Sequence, residues 1–201
     1  MLRLSLPVTL AAAAALAGCS PAPEASDETA PAEDTPADTA TADASSAETL
    51  GSASLALADG TPAGTVDLLS DGTALSLRVT VTGIPEGTHG FHLHTTGECT
   101  PPDFSSAGGH LNPADKEHGH ENPNGSHLGD LPNLEVGADG TASTTVELAD
   151  SGDSVIDTLF DADGTAAVVH ADPDDYQSNP SGNAGSRIAC GVFERADEQA
   201  V

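Results

Sequence analysis

Histidine is concentrated in one stretch of this chain. Seven of the eight histidines lie between positions 88 and 130, and the eighth is His170. Neutral imidazole is the commonest side-chain metal ligand near neutral pH, so a cluster of this size predicts metal binding. Asp130 closes the stretch and adds a carboxylate that can serve as a further ligand.

The spacing suggests how these residues could share metals. His92 and His94 lie two apart in a predicted strand, so both side chains emerge on one face and make half of a four-nitrogen site. His170 ends another predicted strand and can face this pair. Three histidines and one carboxylate suit a closed tetrahedral zinc site: they are His110, His118, His127 and Asp130. Spacing alone does not assign six histidines to two metals.

The segments that must position these residues alternate apolar and polar side chains, and several are separated by Asp-Gly turns that favour hairpins. No sustained helical period is present. Two long loops, 95–132 and 171–186, are predicted to be functional. We therefore predict an all-β protein, an eight-stranded antiparallel barrel or sandwich with both loops at one end. The predicted strands are 52–58, 63–69, 73–82, 89–94, 133–137, 141–148, 165–170 and 187–194.

The charge balance excludes some partners. The chain has 32 acidic residues against five basic ones, for a net charge of −27. Nucleic acid and anionic membrane surfaces are therefore not expected as electrostatic partners. Such an acid excess suits a salty habitat, a hypothesis that solubility against added salt would test.

The N-terminus predicts export. Residues 1–18 combine one arginine, a short apolar run and small residues, as a signal peptide does, and the run is too short to span a membrane. Cys19 follows Leu-Ala-Gly and resembles the lipobox cysteine of bacterial lipoproteins, which carries the lipid. The alternative is an ordinary signal peptide with an incidental cysteine. Residues 19–49 read as an acidic, disordered linker that tethers a domain at 50–201 to the cell envelope, on the periplasmic side or the cell surface.

Two cysteines remain in the domain, Cys99 and Cys190. An exported domain with two cysteines most simply forms one disulfide, which would tie the first long loop to the last strand. Two free buried thiols are the alternative.

Five motifs together resemble the copper/zinc superoxide dismutase family, in order and with the family's spacing over roughly residues 50–194. The family's fold is an eight-stranded Greek-key β-barrel, which agrees with the predicted strands. The stretch between Cys99 and His110 is longer than in animal members and looks more like the bacterial branch. The motifs are residues 90–94, 109–113, 127–130, 168–170 and 182–191.

The resemblance implies a role for each matching residue. The implied copper ligands are His92, His94, His110 and His170. The implied zinc ligands are His110, His118, His127 and Asp130. His110 would bridge the metals and carry a proton. Asp174 would link a copper histidine to a zinc histidine, Arg187 would guide substrate, and the disulfide would join Cys99 to Cys190.

Two histidines fall outside this set. His89 is expected to be structural, hydrogen-bonded near the end of the barrel. His120 lies two residues after His118 and could compete with it as a ligand, but the family's register favours His118.

The resemblance predicts an enzyme that converts superoxide into dioxygen and hydrogen peroxide, with copper and zinc as cofactors. A non-catalytic copper/zinc-binding envelope lipoprotein on the same barrel is the alternative, and adhesion is a weaker third. Loop 171–186 contains three aspartates and no lysine, so Arg187, with Lys116, must guide the anionic substrate. The membrane is expected as a partner only through the lipid, and the sequence leaves monomer and homodimer open.

Overall fold

The computed structural model describes residues 47–148, 150 and 152–198. The signal peptide, the lipid-bearing cysteine and most of the linker that the sequence predicts, at residues 1–18, Cys19 and 20–49, lie outside these residues. Within the described part of the chain, no helix is long and apolar enough to cross a membrane.

The predicted all-β fold is confirmed. A single α-helix is described, α1 (Asp153–Leu159), together with a short 3-10 turn at Ser105–Ala107. All other regular structure in the described ranges is extended. The strands are β1 (Glu48–Leu57), β2 (Pro62–Ser70), β3 (Leu75–Val81), β4 (Gly87–His89), β5 (Phe91–His94), β6 (Leu134–Val136), β7 (Ala142–Glu147), β8 (Ala166–His170) and β9 (Arg187–Arg195).

Seven strands form one antiparallel sheet in the order β5-β8-β9-β1-β2-β3-β7, and β4 pairs with β6 in a separate two-stranded ladder. The small ladder connects the two edges of the large sheet, because β4 runs into β5 and β6 turns into β7. The sheet therefore curls into a barrel, which covers edge strands that would otherwise be exposed.

The alternating pattern explains the core. Along β3, the inward residues Leu75, Leu77, Val79 and Val81 are buried, while Arg78 and Thr80 are exposed. Aliphatic side chains from the other strands pack against them, and burial of this apolar surface is the main force that holds the barrel closed.

Three local features differ from the predicted pattern. Strand β1 begins at Glu48, four residues before the first predicted strand and within the segment predicted as linker. The fourth predicted strand is divided at Gly90 into β4 and β5, because Gly90 donates to the carbonyl of Asp172 and accepts from the backbone N–H of His170. A side chain there would collide with Ala184, whose Cβ lies 2.7 Å from an added Cβ. Helix α1 was not predicted, since its seven residues are too few to establish a helical period.

The predicted disulfide is confirmed. Cys99 and Cys190 are bonded across 91 positions of sequence. Cys190 lies in β9 and packs with Phe104, Ala107 and Val168 in a small second core. The bridge therefore fixes the first long loop against the barrel wall next to the histidine cluster.

Candidate metal centre

Strand β5 presents two histidines away from the barrel core. Phe91 and Leu93 point inward and belong to the core, so the side chains of His92 and His94 emerge on the opposite face. Both are nevertheless completely buried or nearly so, at 0% and 1% exposure. The long loops that follow β5 and β8 cover them.

The first long loop is held beside β5 by backbone hydrogen bonds. Leu93 donates to the carbonyl of Gly129 and accepts from the N–H of Leu111, at 2.9 and 2.8 Å. This pairing places His110 opposite His94 and Asp130 opposite His92. A Cβ at position 129 would lie 2.3 Å from the Leu93 carbonyl oxygen, so this close approach requires glycine.

Strand β8 brings the eighth histidine to the same place. His170 is the last residue of β8, which pairs with β5, and its backbone N–H donates to Gly90 at 2.8 Å. Its Nε2 lies 3.4 Å from Nε2 of His94. One donor atom from each residue of a buried set lies within 4.8 Å of the others: His92, His94, His110 and His170.

A second buried set centres on one carboxylate oxygen. The Oδ1 atom of Asp130 lies 2.8 Å from Nδ1 of His110, 2.9 Å from Nδ1 of His118 and 3.0 Å from Nδ1 of His127. The other oxygen, Oδ2, accepts the backbone N–H groups of Gly119 and His127. Three imidazoles and one carboxylate match the donor set of a closed zinc site.

The nitrogens that point away from these clusters are also fixed. Nδ1 of His94 contacts the Gly108 carbonyl at 3.0 Å, Nδ1 of His170 contacts that of Gly185 at 3.3 Å, and Nε2 of His127 contacts that of Lys116 at 3.2 Å. Ligating histidines usually donate their other N–H to such an acceptor, which sets the tautomer and the ring orientation.

His110 is different, because neither of its ring nitrogens is hydrogen-bonded to an acceptor outside the two clusters. Nδ1 belongs to the carboxylate-centred cluster, and Nε2 is buried without a hydrogen-bond partner. Nδ1 of His92 is also buried without a partner, and the two rings lie 4.0 Å apart between centroids. Unpartnered buried polar atoms are costly, so both nitrogens suit an ion between them.

Asp174 connects the two clusters by a second route. Its Oδ2 lies 2.6 Å from Nε2 of His92, and its Oδ1 lies 3.0 Å from Nε2 of His118. The carboxyl group is buried. Asp174 therefore orients one histidine in each cluster from the side away from the candidate ions.

The electrostatics keeps the first cluster neutral. Burial lowers the pKa of His94 to about 2, that of His170 to about 3 and that of His110 to about 4. These imidazoles are thus unprotonated at neutral pH, the form that binds metals.

In the second cluster, without metal, the pKa of one histidine is raised instead of lowered. Burial disfavours the charged form of His118, but its hydrogen bonds to Asp130 and Asp174 raise its pKa to about 9. Burial opposes ionisation of the two carboxyl groups, yet their histidine and backbone donors hold both pKa values well below the usual range. Metal binding here must therefore displace a proton from His118.

The cleft above the first cluster is about 370 Å³ in volume. Among the described lining residues, Arg187 alone carries a permanent charge, and its guanidinium donates to the carbonyls of Phe104 and Gly108. None of the described residues that line the cleft is a carboxylate. The described lining residues are His94, Gly109, His110, Asn112, His127, His170, Pro180, Ser181, Gly185 and Arg187.

The two remaining histidines lie outside both clusters. His89 is buried at the barrel end, with its ring nitrogens 2.7 Å from the carbonyl of His170 and 2.9 Å from that of Pro85. His120 is exposed, and its ring lies 5.9 Å from that of Tyr176. The structure thus groups all the predicted ligands and leaves these two apart, while the ligand roles stay predictions.

Two residues of the site, Gly108 and Asn133, were not identified from the sequence, because their contacts involve backbone groups. The Gly108 carbonyl is shared by His94 and Arg187, and the Asn133 side chain holds both backbone polar groups of Asp174. A shared carbonyl leaves no trace in residue identity. Asn133 looked like an ordinary strand boundary, and no local signal marks its distant contact.

The chain is similar to proteins of one known family. The family described as copper/zinc superoxide dismutase (SODC) matches residues 62–193. The superoxide dismutase-like protein YojM of Bacillus subtilis (strain 168) is 44% identical over 67% of this chain and 71% of its own length. Superoxide dismutase [Cu-Zn] 2 of Aquifex aeolicus (strain VF5) is 40% identical over 70% of this chain and 84% of its own.

A solved structure shares the fold. It is a double mutant of a SOD-like protein from Bacillus subtilis, in which a tyrosine and a proline are each replaced by histidine. It has a TM-score of 0.65 and 41% identity, and covers 72% of this chain and 98% of its own. This chain belongs to the copper/zinc superoxide dismutase family, whose cofactors are copper and zinc.

Proposed function

We propose that this protein is a superoxide dismutase, which converts two superoxide anions and two protons into dioxygen and hydrogen peroxide. The observation that carries the proposal is the buried ring of His110. Its Nδ1 belongs to the cluster around Asp130, and its Nε2 is unpartnered in the all-histidine cluster. One imidazole therefore has a donor atom for each of two ions.

The donor sets suit two different metals. Four imidazoles would hold copper, and three imidazoles with Asp130 would hold zinc. When bound, copper would supply a one-electron cycle between Cu(II) and Cu(I), whereas zinc has no redox chemistry. The copper ligands would be His92, His94, His110 and His170, and the zinc ligands His110, His118, His127 and Asp130.

The protein residues around the cleft would guide the substrate and its protons. Arg187 offers a fixed positive charge beside His94 and His170, held in place by its two backbone acceptors. His110 lines the same cleft, and its Nε2 could take up a proton whenever it is not bound to copper and deliver that proton to the reduced product. Asp174 keeps the rings of His92 and His118 in orientation.

The local charge of the cleft would offset the acidity of the whole chain. At physiological salt the Debye length is about 8 Å, so acidic groups far from the cleft are largely screened. With Arg187 in the lining and no carboxylate among the described lining residues, an anion meets a locally favourable potential.

The purified protein, loaded with copper and zinc, should remove superoxide much faster than free copper does. The His170→Ala variant removes a predicted copper ligand that is absent from the zinc set, so it should lose activity and keep zinc. If the loaded wild-type protein removes superoxide no faster than free copper does, the proposal is overturned.

A second candidate is a non-catalytic copper/zinc-binding protein. The similarity to a relative named superoxide dismutase-like favours it. A solved variant of a SOD-like protein from the same organism carries two introduced histidines, whereas this chain has six clustered histidines in its own sequence. The complete clusters and Arg187 make the enzyme the better supported function.

We also propose that the protein is exported and held at the cell envelope through lipid on Cys19. The disulfide supports an oxidising compartment, because such bonds are rare in the cytosol. Mass spectrometry of the mature N-terminus should find a lipidated cysteine at position 19. A mature chain that begins elsewhere, or an unmodified Cys19, would contradict this.

A further inference from the structure

The buried carboxylate that joins the two clusters depends on residues that touch neither candidate ion. Oδ1 of Asp174 accepts the backbone N–H of Tyr176 at 2.7 Å, in addition to its contact with His118. Its Oδ2 is occupied by His92. Both oxygens are therefore engaged, and a small rotation of the carboxylate would disturb both histidines together.

The backbone of Asp174 is held from the opposite side by one amide side chain. Oδ1 of Asn133 accepts the Asp174 N–H at 2.9 Å, and Nδ2 of Asn133 donates to the Asp174 carbonyl at 3.0 Å. A side-chain amide that satisfies both polar groups of one residue fixes its position and its orientation.

Asn133 is in turn fixed by the only tyrosine of the chain. The backbone N–H of Asn133 donates to the phenolic oxygen of Tyr176 at 2.8 Å. The carbonyl of Tyr176 accepts the N–H of Glu121 in the first loop. Tyr176 thus joins the second loop, the residue before β6 and the segment that carries His118.

The backbone of Tyr176 is unusual in a way that fits this role. Its φ is 60°, in the left-handed region that a bulky side chain rarely adopts. Such conformations persist where the surrounding contacts determine them, and they concentrate at functional sites. Here the conformation directs the N–H at Asp174, the carbonyl at Glu121 and the hydroxyl at Asn133.

We propose that Tyr176 and Asn133 are positioning residues that hold Asp174 in place and thereby set the geometry of both metal clusters together. The role rests on the proposed function for its catalytic meaning, but the metal geometry can be measured without any activity. Neither residue belongs to a predicted ligand set, and neither is among the described residues that line the cleft above the first cluster.

The central test is Tyr176→Phe, which removes one hydroxyl and keeps the ring. Zinc affinity, measured by competition with a chromophoric chelator, should fall by about three- to tenfold. That is less than the 10–100-fold typical of a residue that hydrogen-bonds a ligand directly. The Cu(II) electron paramagnetic resonance spectrum should change in the same variant, because His92 shares the carboxylate. The exposed neighbour variant His120→Ala should change neither.

A double-mutant comparison separates positioning from general destabilisation. Asn133→Ala should weaken zinc binding more than Tyr176→Phe does. The double variant should bind zinc as Asn133→Ala does, because the hydroxyl holds the backbone N–H of Asn133 and Asn133 contacts Asp174 through its side chain. The urea midpoint of each variant shows whether a loss of zinc affinity merely follows a loss of stability.

Unchanged zinc affinity and an unchanged copper spectrum in Tyr176→Phe would overturn the positioning role, as would additive effects in the double variant. These readouts do not depend on catalysis. If the loaded wild-type protein fails to remove superoxide while the variants behave as described, the proposed function fails and the positioning role stands.

Discussion

Nδ1 of His110 lies 2.8 Å from Oδ1 of Asp130, while Nε2 of the same ring is buried without a hydrogen-bond partner. Each of the other five clustered histidines has one nitrogen directed into a cluster and the other engaged by a carbonyl or by Asp174. Of the six clustered histidines, only His110 directs one ring nitrogen into each cluster. It is therefore the centre of the proposed site.

The two histidines at 118 and 120 provide a matched pair of variants. His118 is buried against Asp130, whereas His120 is exposed and outside the clusters. His118→Ala should weaken zinc binding by about 100-fold or more, since it removes a predicted ligand rather than a neighbour of one. His120→Ala should bind zinc as the wild type does, by chelator competition. Equal losses in the two variants would show that the register is misassigned.

Arg187→Glu should lower kcat/KM for superoxide by at least about tenfold, because the charge beside the cleft is inverted. Copper and zinc contents should be unchanged, since Arg187 is in neither ligand set. Arg78→Glu is the control, because Arg78 is exposed on β3 and does not line the cleft. A rate for Arg187→Glu equal to that of the wild type at low salt would exclude the guiding role.

Gly182→Ala should reduce zinc affinity strongly. A Cβ at this position would lie 1.8 Å from Oδ1 of Asp174 and 2.6 Å from Nε2 of His118, so it would push the two apart. Gly72→Ala is a matched control, because it has a similar positive φ and no atom within 4 Å of the added Cβ. Both variants should lose stability through the backbone, but only Gly182→Ala should lose zinc. Comparable zinc affinity in the two would refute the contact.

The metal-free protein should become less stable as the pH falls from 6.5 towards 4. Burial lowers the pKa of His94 to about 2, of His170 to about 3 and of His110 to about 4, so the unfolded chain takes up protons there that the folded chain refuses. Each such group lowers the free energy of unfolding by about 1.4 kcal/mol per pH unit. Urea midpoints at pH 7, 6 and 5 measure this.

His118 has the opposite sign and a different range. Its pKa is raised to about 9, so its stabilising contribution is complete below pH 6.5 and disappears as the pH rises through 9. His118 therefore does not change how the free energy of unfolding depends on pH between 6.5 and 4. The His94→Asn variant should lose less stability per pH unit on acidification than the wild type, because one buried histidine no longer contributes. A wild-type urea midpoint that is constant between pH 7 and 5 would show that burial does not lower these pKa values.

The strand pattern could be predicted where one face is buried. Arg187–Arg195 and Ala166–His170 agree closely with the segments expected from alternation, because a period of two is a direct consequence of a half-buried strand. The break at Gly90 could not be predicted, since it depends on contacts with Asp172 and Ala184, which are distant in sequence. Short helix α1 fell below the length at which periodicity is informative.

The sequence predicted the types of the ligand residues, but not which residues share each metal. Spacing put His92 and His94 on one face, yet only the pairing of the first loop with β5 brings His110 and Asp130 to them. The family resemblance supplied that assignment. The Tyr176–Asn133 contact is different, because it joins a residue of the second loop to a backbone N–H 43 positions away, and nothing in the local sequence points to it.

The most direct test of this account is anomalous diffraction from crystals of the copper- and zinc-loaded protein, recorded at the absorption edges of both metals. We predict copper at Nε2 of His110, among His92, His94 and His170, and zinc at Nδ1 of the same ring, beside Asp130. Both metals in one cluster, or a His110 ring that binds only one of them, would contradict it.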